Sequence, residues 1–261
     1  MPETQEMRSL SLRRVHDDIC VAAMMLTRLP VPALTRTVTP LKEAMWAFPF
    51  IGLIVGAAAA TVGSTAIWFG VPPLIAAILT VAGAIFLTGA LHEDGLADMA
   101  DGFGTGGTAT HISSIMKDSQ IGTYGAVSLV LIIGLRVSLL AELSESAQGL
   151  GISFILACMF GRGMAVILCS LFPVSTLASL GQAAASPPSS AVAISCVFWL
   201  IPLWFMLGPA GIIAICLGGL AMVWTGRQTN AKLNGITGDI IGASILLSET
   251  GFLLGLIVLA S

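Results

Sequence analysis

The sequence predicts an all-α fold: a polytopic transmembrane helical bundle of about seven spans plus a short N-terminal interfacial or re-entrant helix, forming one integral-membrane domain over residues 1–261. Three observations carry this expectation. Of the 261 residues, 56% are hydrophobic and 10% charged, with a mean hydropathy of +0.96, a composition that needs lipid as its solvent. The apolar residues fall in long runs with Gly, Pro and small residues spread through them, as in packed membrane helices. Lys and Arg gather in alternate connections between those runs.

Taken in order, residues 1–18 form a polar lead containing Arg8, Arg13 and Arg14, which is not the layout of a cleaved signal peptide. Residues 19–29 are apolar but too few to cross ~30 Å of hydrocarbon, and the run ends at Pro30 and Pro32. This is the expected interfacial or re-entrant helix. Spans follow at 44–70 and 71–91, joined by a Gly-Val-Pro-Pro turn, then at about 124–142, 150–172, 191–207, 210–225 and 240–260. A Ser/Ala/Pro-rich loop covers 175–190, and a polar loop covers 225–239.

With seven crossings and the N-terminus inside, Arg8, Arg13, Arg14, Arg28, Arg36, Lys42, Lys117, Arg227 and Lys232 all fall on the inner face. The opposite turns at 70–72, 143–149 and 208–209 contain no Lys or Arg. That asymmetry orients the bundle. The formal net charge of −3 and the lack of a basic patch argue against nucleic acid as a partner. The five cysteines form no CxxC or ligand spacing and read as small hydrophobes. A homo-oligomer is compatible with such a bundle.

The stretch Gly89–Gly107, GALHEDGLADMADGFGTGG, places His92, Glu93, Asp94, Asp98 and Asp101 between two apolar spans. On a helix turning about 100° per residue, Asp98 lies about 40° and Asp101 about 340° from Asp94, so the three carboxylates share a face. Like charges that close destabilise a bare helix, and a hard divalent cation with oxygen ligands, Mg²⁺, would neutralise them. A solvated acidic loop would carry the same charges, but neither their spacing nor their place at the membrane edge suits it. His92 lacks any zinc-ligand spacing and reads, with Glu93, as a hydrogen-bonding support to the carboxylates.

Two more inner-face constellations stand out. Lys117-Asp118-Ser119 precedes Ile-Gly-Thr-Tyr-Gly, a cation beside glycines that would suit a pyrophosphate, or simply anchor the third span. Asp239 opens the last helix after Asn234-Gly-Ile-Thr-Gly, a turn that aims a carboxylate and backbone N–H groups at an anion or its metal; Thr237 could equally be an ordinary cap. Arg136, Arg162 and Glu249 lie within spans, where charges require partners. Arg136 and Glu249 read first as bundle-pairing residues, with site roles second, and Arg162, between Gly161 and Gly163, as a group that another backbone or a ligand can approach.

The run His92-Glu93-Asp94-Gly95-Leu96-Ala97-Asp98-x-x-Asp101-Gly102 resembles the acidic signature of the cobalamin synthase (adenosylcobinamide-GDP ribazoletransferase) family. So do Ile115-Met116-Lys117-Asp118-Ser119-x-Ile121-Gly122-Thr123-Tyr124-Gly125 and Thr237-Gly238-Asp239-x-x-Gly242-Ala243. Thr27-Arg28-Leu29-Pro30-Val31-Pro32, Phe48-Pro49-x-Ile51-Gly52 and Arg162-Gly163 also fit, in order along essentially the whole chain. Position 120 is Gln where the family often has Arg, and Glu93 stands where an apolar residue also occurs.

The resemblance implies a multi-pass enzyme of the bacterial inner membrane with its active face cytoplasmic. Its substrates would be the corrinoid adenosylcobinamide-GDP and α-ribazole or α-ribazole 5′-phosphate, giving adenosylcobalamin or its 5′-phosphate plus GMP, with Mg²⁺. It makes Asp94, Asp98 and Asp101 the metal-binding carboxylates and Asp239 the facing one. Lys117 and Arg162 become phosphate partners, with Asp118, Asn234 and Thr237 beside them in the substrate site. Asp98 or Asp101 would accept the attacking hydroxyl's proton. Two rivals are a CDP-alcohol phosphotransferase, whose motif wants Arg where Asp98 stands, and a divalent-cation transporter, whose ligands usually sit at mid-bilayer on broken helices.

Overall fold

A computed structural model describes residues 2–34, 40–146, 149–175 and 183–260. Arg36, residues 176–182 of the Ser/Ala/Pro-rich loop and residues 147–148 of the turn before the fourth expected span therefore lie outside the described residues. Among the described residues the chain is helical, with one isolated parallel bridge between Val174 and Ile236. The helices are α1 (Pro2–Leu26), α2 (Leu41–Ala44), α3 (Phe48–Trp68), α4 (Pro73–Thr88), α5 (Leu91–Thr105), α6 (Ala109–Met116), α7 (Thr123–Leu143), α8 (Gly149–Leu171), α9 (Ser189–Leu207), α10 (Gly211–Leu233) and α11 (Gly238–Ala260).

Among the described residues, six segments are long and apolar enough to cross a membrane: α2 with α3, and each of α7 to α11. The seventh is α4 with α5, a pair bent by 89°. We read α4 as the crossing part and α5, polar along one face, as lying across its inner end. α8 and α11 are mostly buried and form the centre, while the other spans show much of their surface to lipid. α3 packs along α8, α10 along α11, and α5 across α11.

Two elements differ from the sequence-based expectation. The N-terminal helix is not a short run at 19–29; it covers Pro2–Leu26, because nothing in the polar lead breaks a helix. α10 does not end at 225 but continues to Leu233, so the polar loop shrinks to the turn before Gly238. The extension carries Lys232 to α5, where its Nζ donates to the Phe103 carbonyl at 3.4 Å and lies 5.4 Å from the Phe103 ring centroid. The turn itself is pinned by Ile236 N–H to the Pro173 carbonyl, and by Ser175 N–H to the Ile236 carbonyl.

The corner between α4 and α5 sets the course of the acidic helix. Gly89 and Ala90 both take left-handed backbone (φ 67° and 60°), which ends α4 and redirects the chain. Arg28 closes the corner: its N–H donates to the Leu87 carbonyl at 2.8 Å, and its side chain fills the space where a Cβ at residue 89 would stand. Beyond the corner, Gly95 lets the backbone of Asp239 lie directly on α5. A Cβ there would overlap the Asp239 carbonyl, and backbone cannot yield as a flexible side chain can.

Gly95→Ala is therefore expected to lower stability by about 1–3 kcal/mol. Gly134→Ala on α7, where a methyl group meets open space, should be neutral or slightly stabilising. Thermal unfolding of the two variants in one detergent checks the contrast; equal midpoints would refute the close α5–α11 packing.

Candidate functional site

The acidic residues sit on α5 as a helix rather than a loop, and the structure divides them. Asp94 is exposed and Asp98 half-buried, one turn apart. Because Gly95 brings α11 against α5, Asp239 on the first turn of α11 joins them from a distant part of the chain. Burial, then Asp94, Asp239 and Asp101, push the Asp98 carboxyl up to about 7. A carboxylate that crowded holds a proton near neutrality unless a cation relieves it.

Asp94 and Asp98 border a cavity of about 480 Å³, which opens to solvent and is also lined by Lys117, Asp118 and Gln120. Lys117 also acts electrostatically on Asp239. Asp118 shapes this wall rather than facing across it: its Oδ1 accepts the Gln120 N–H at 3.0 Å. Carboxylates on one side and an ammonium on the other make a place for an anion that arrives with a metal.

Asp101 is used differently. It is buried, and its two oxygens accept the N–H groups of Gly122 and Gly125, each at 2.8 Å. It thus fastens the start of α7, and with it the 117–122 segment, to α5. The sequence reading groups Asp101 with the metal-binding trio; here it does not line the cavity, because a helix N-terminus has drawn its carboxylate away.

Arg162 also departs from its expected place. It is buried, forms an ion pair with Glu249, and its Nη2 lies 3.0 Å from His92 Nε2. Arg136 pairs with the same Glu249 carboxylate at 2.6 Å and with Glu93 at 3.5 Å. The bundle pairing expected of Arg136 and Glu249 is thus present, here with each other, and the phosphate-contact expectation for Arg162 meets a side chain enclosed among its own partners. Gly161 makes room for Glu249 rather than for a ligand. His92 and Glu93 stand behind the carboxylates of α5 and tie that helix to α7, α8 and α11. The through-span network as a whole escapes sequence reasoning, since nothing local signals that residues 92, 93, 136, 162 and 249 converge.

At the start of α11, Thr237 caps the helix, its Oγ1 accepting the Ile240 N–H at 3.4 Å. Asn234 is exposed with left-handed backbone (φ 54°) at the end of α10, so it forms the turn and does not line that cavity. Among the described residues, no group of three or more His, Cys, Asp or Glu side chains is drawn together to hold a metal. The donors present suit Mg²⁺ nonetheless: it is typically held by one or two carboxylates and takes water and substrate phosphate for the rest.

Comparison with known proteins places these residues in context. Residues 18–257 match the family described as cobalamin-5-phosphate synthase. The chain is 37% identical over 259 residues to an adenosylcobinamide-GDP ribazoletransferase of Bradyrhizobium diazoefficiens, covering 96% of each chain. It is 38% identical over 248 residues to the enzyme of that name from Mesorhizobium japonicum (94% of this chain, 95% of the relative). To that from Brevibacillus brevis it is 32% identical over 238 residues (90% and 96%). No solved structure matches.

Two outcomes follow from the geometry. Glu249→Ala should cost about 3–5 kcal/mol, as expected when one partner of a buried ion pair is removed, measured as unfolding in detergent. Asp101→Ala should speed hydrogen exchange at the Gly122 and Gly125 amides, whereas Asp94→Ala leaves it unchanged. Equal exchange in both variants would show that Asp101 is not the anchor.

Proposed function

Given that the chain belongs to the cobalamin-5-phosphate synthase family, we propose that it acts as an adenosylcobinamide-GDP ribazoletransferase. It joins adenosylcobinamide-GDP to α-ribazole, or to its 5′-phosphate, and releases GMP. A hydroxyl of the ribazole forms a new O–P bond to the phosphate attached to cobinamide, the anhydride P–O bond to GMP breaks, and the hydroxyl proton passes to a carboxylate. The observation that carries this reading is the convergence of Asp94 and Asp98 with Asp239, from helices far apart in sequence, opposite Lys117.

In this reading Asp94 and Asp98 hold Mg²⁺, which would polarise the phosphorus and stabilise the departing GMP. Lys117 adds positive charge from the other wall. Asp101 positions that wall by gripping Gly122 and Gly125. Asp239 takes the proton, because it faces the pair on α5 and also borders a second cavity on the other side of that helix. Arg162 and Arg136 act through His92 and Glu93 by fixing the pitch of α5, not by touching phosphate. Phosphoryl transfer asks for little more than such positioning and charge neutralisation. The active face is cytoplasmic, as the Lys and Arg distribution favours, and the membrane is the bacterial inner one.

Purified protein in detergent, supplied with Mg²⁺, adenosylcobinamide-GDP and α-ribazole, should release GMP, and EDTA should stop it. Asp94→Asn and Asp98→Asn should raise the Mg²⁺ concentration needed for half-maximal rate. Asp239→Asn should lower kcat by about 10²–10⁴-fold with that requirement unchanged. Radioactive manganese entering sealed vesicles with no GMP released would instead favour a cation transporter.

A further inference from the structure

A separate charged cavity lies away from α5. It measures about 410 Å³ and is formed by α1, the segment around α2 and the start of α9. The spans of α2 with α3 and of α9 both begin here, so the cavity stands where hydrocarbon meets water. Its lining carries both signs. Arg14 donates to Glu43 at 3.0 Å and comes within 4.0 Å of Asp18, which accepts the Trp46 indole N–H at 3.0 Å. Ser190 lines it from the first turn of α9, where backbone N–H groups and the helix dipole favour an anion.

One cation, Arg14, stands against two carboxylates, Asp18 and Glu43, so the lining repels a ligand that is only an anion. A ligand that is only a cation leaves Arg14 and the start of α9 without a counter-charge. A zwitterion answers both. Its phosphate fits between Arg14 and the first turn of α9, and its primary ammonium toward Glu43 and the Trp46 ring. Arg14 has donors to spare, since a guanidinium offers five N–H groups and this side chain is 57% exposed. An independent feature gives the zwitterion a hydrocarbon chain. Ser190, Ile194, Val197 and Ile201 follow one another along a single face of α9, and the three apolar ones are 44%, 54% and 50% exposed. Ile194 also lines the cavity, so this stripe runs from its mouth into the hydrocarbon. We infer that the cavity holds the head group of an ethanolamine phospholipid of the adjoining leaflet, with an acyl chain along the α9 stripe. The site is distinct from the carboxylates of α5 and does not rest on the transferase reading.

Native mass spectrometry of the full chain in detergent makes the test, with phosphatidylethanolamine and phosphatidylglycerol of identical chains added in equal amounts. Ethanolamine lipid should be retained about three- to fivefold over glycerol lipid. Glu43→Gln, which removes a charge and keeps the shape, should bring that ratio close to one. Glu142→Gln, an exposed change at the far end of α7, should leave it as it is. Ser190→Phe, which fills the cavity, should lower ethanolamine lipid to the level of glycerol lipid. An unfolding midpoint in lipid-free detergent equal to the parent's, expected for Glu43→Gln, separates lost binding from lost fold. Equal retention of the two lipids by the parent, or a ratio untouched by Glu43→Gln or by Ser190→Phe, would overturn the inference. So would soluble phosphoethanolamine held as tightly as the lipid, because the α9 stripe would then contribute nothing.

Discussion

The bundle depends on one buried carboxylate. Glu249 stands in the central helix α11 and receives Arg136 from α7 and Arg162 from α8. Neither arginine could lie within a span without a counter-charge, since each would cost several kcal/mol among lipid and protein hydrocarbon. Glu93 completes the account, so that two guanidinium groups face two carboxylates and a neutral imidazole. Removing one member leaves a buried charge alone, which is why such pairs are far more destructive to break than they are stabilising to have. The network also fixes orientation. Through Glu93 and His92 it fastens α5, which does not itself cross the membrane, to three helices that do.

Fastened so, α5 works as a partition. His92 and Asp94 are two residues apart, about 200° around a helix, and therefore look to opposite sides. One side is anionic and opens toward Lys117; the other is apolar, with the buried His92 Nδ1 behind it unpartnered among the described residues. The corner at Gly89 and Ala90 sets the angle of the partition, and Gly95 sets how closely Asp239 can approach it. Small shifts at either place would move carboxylates on different helices apart together, which makes these unreactive residues as consequential as the charged ones.

The fold was legible in the sequence because lipid imposes it: apolar runs, proline turns and the Lys/Arg asymmetry mark six of the seven expected crossings closely. The expected span at 210–225 stops short of the end of α10, because polar residues suggest a loop where Arg227 and Lys232 lie on a helix that continues to Leu233. The acidic motif and its helical face were legible for the same reason of periodicity. What each carboxylate faces was not. Asp101 has the spacing of a metal ligand, and only tertiary contact with the N-terminus of α7 reveals where its oxygens go. Arg162, flanked by glycines, has the look of an accessible cation; those glycines instead admit Glu249 and Trp199. Spacing along one helix carries no record of its neighbours.

The fate of the four carboxylates explains why the demand for a cation falls where it does. Asp101 meets two backbone N–H groups. Asp239 lies on the first turn of α11, where the helix dipole favours a negative charge. Asp94 and Asp98 accept no hydrogen bond among the described residues, and Asp98 is held near its protonated form by its neighbours. The two that the protein itself leaves uncompensated are one turn apart and border the cavity that contains Lys117. A divalent ion placed there would offset their repulsion and still have coordination positions open toward a diphosphate. The electrostatic deficit of the fold is thus concentrated at the point where an incoming anion would have to be held.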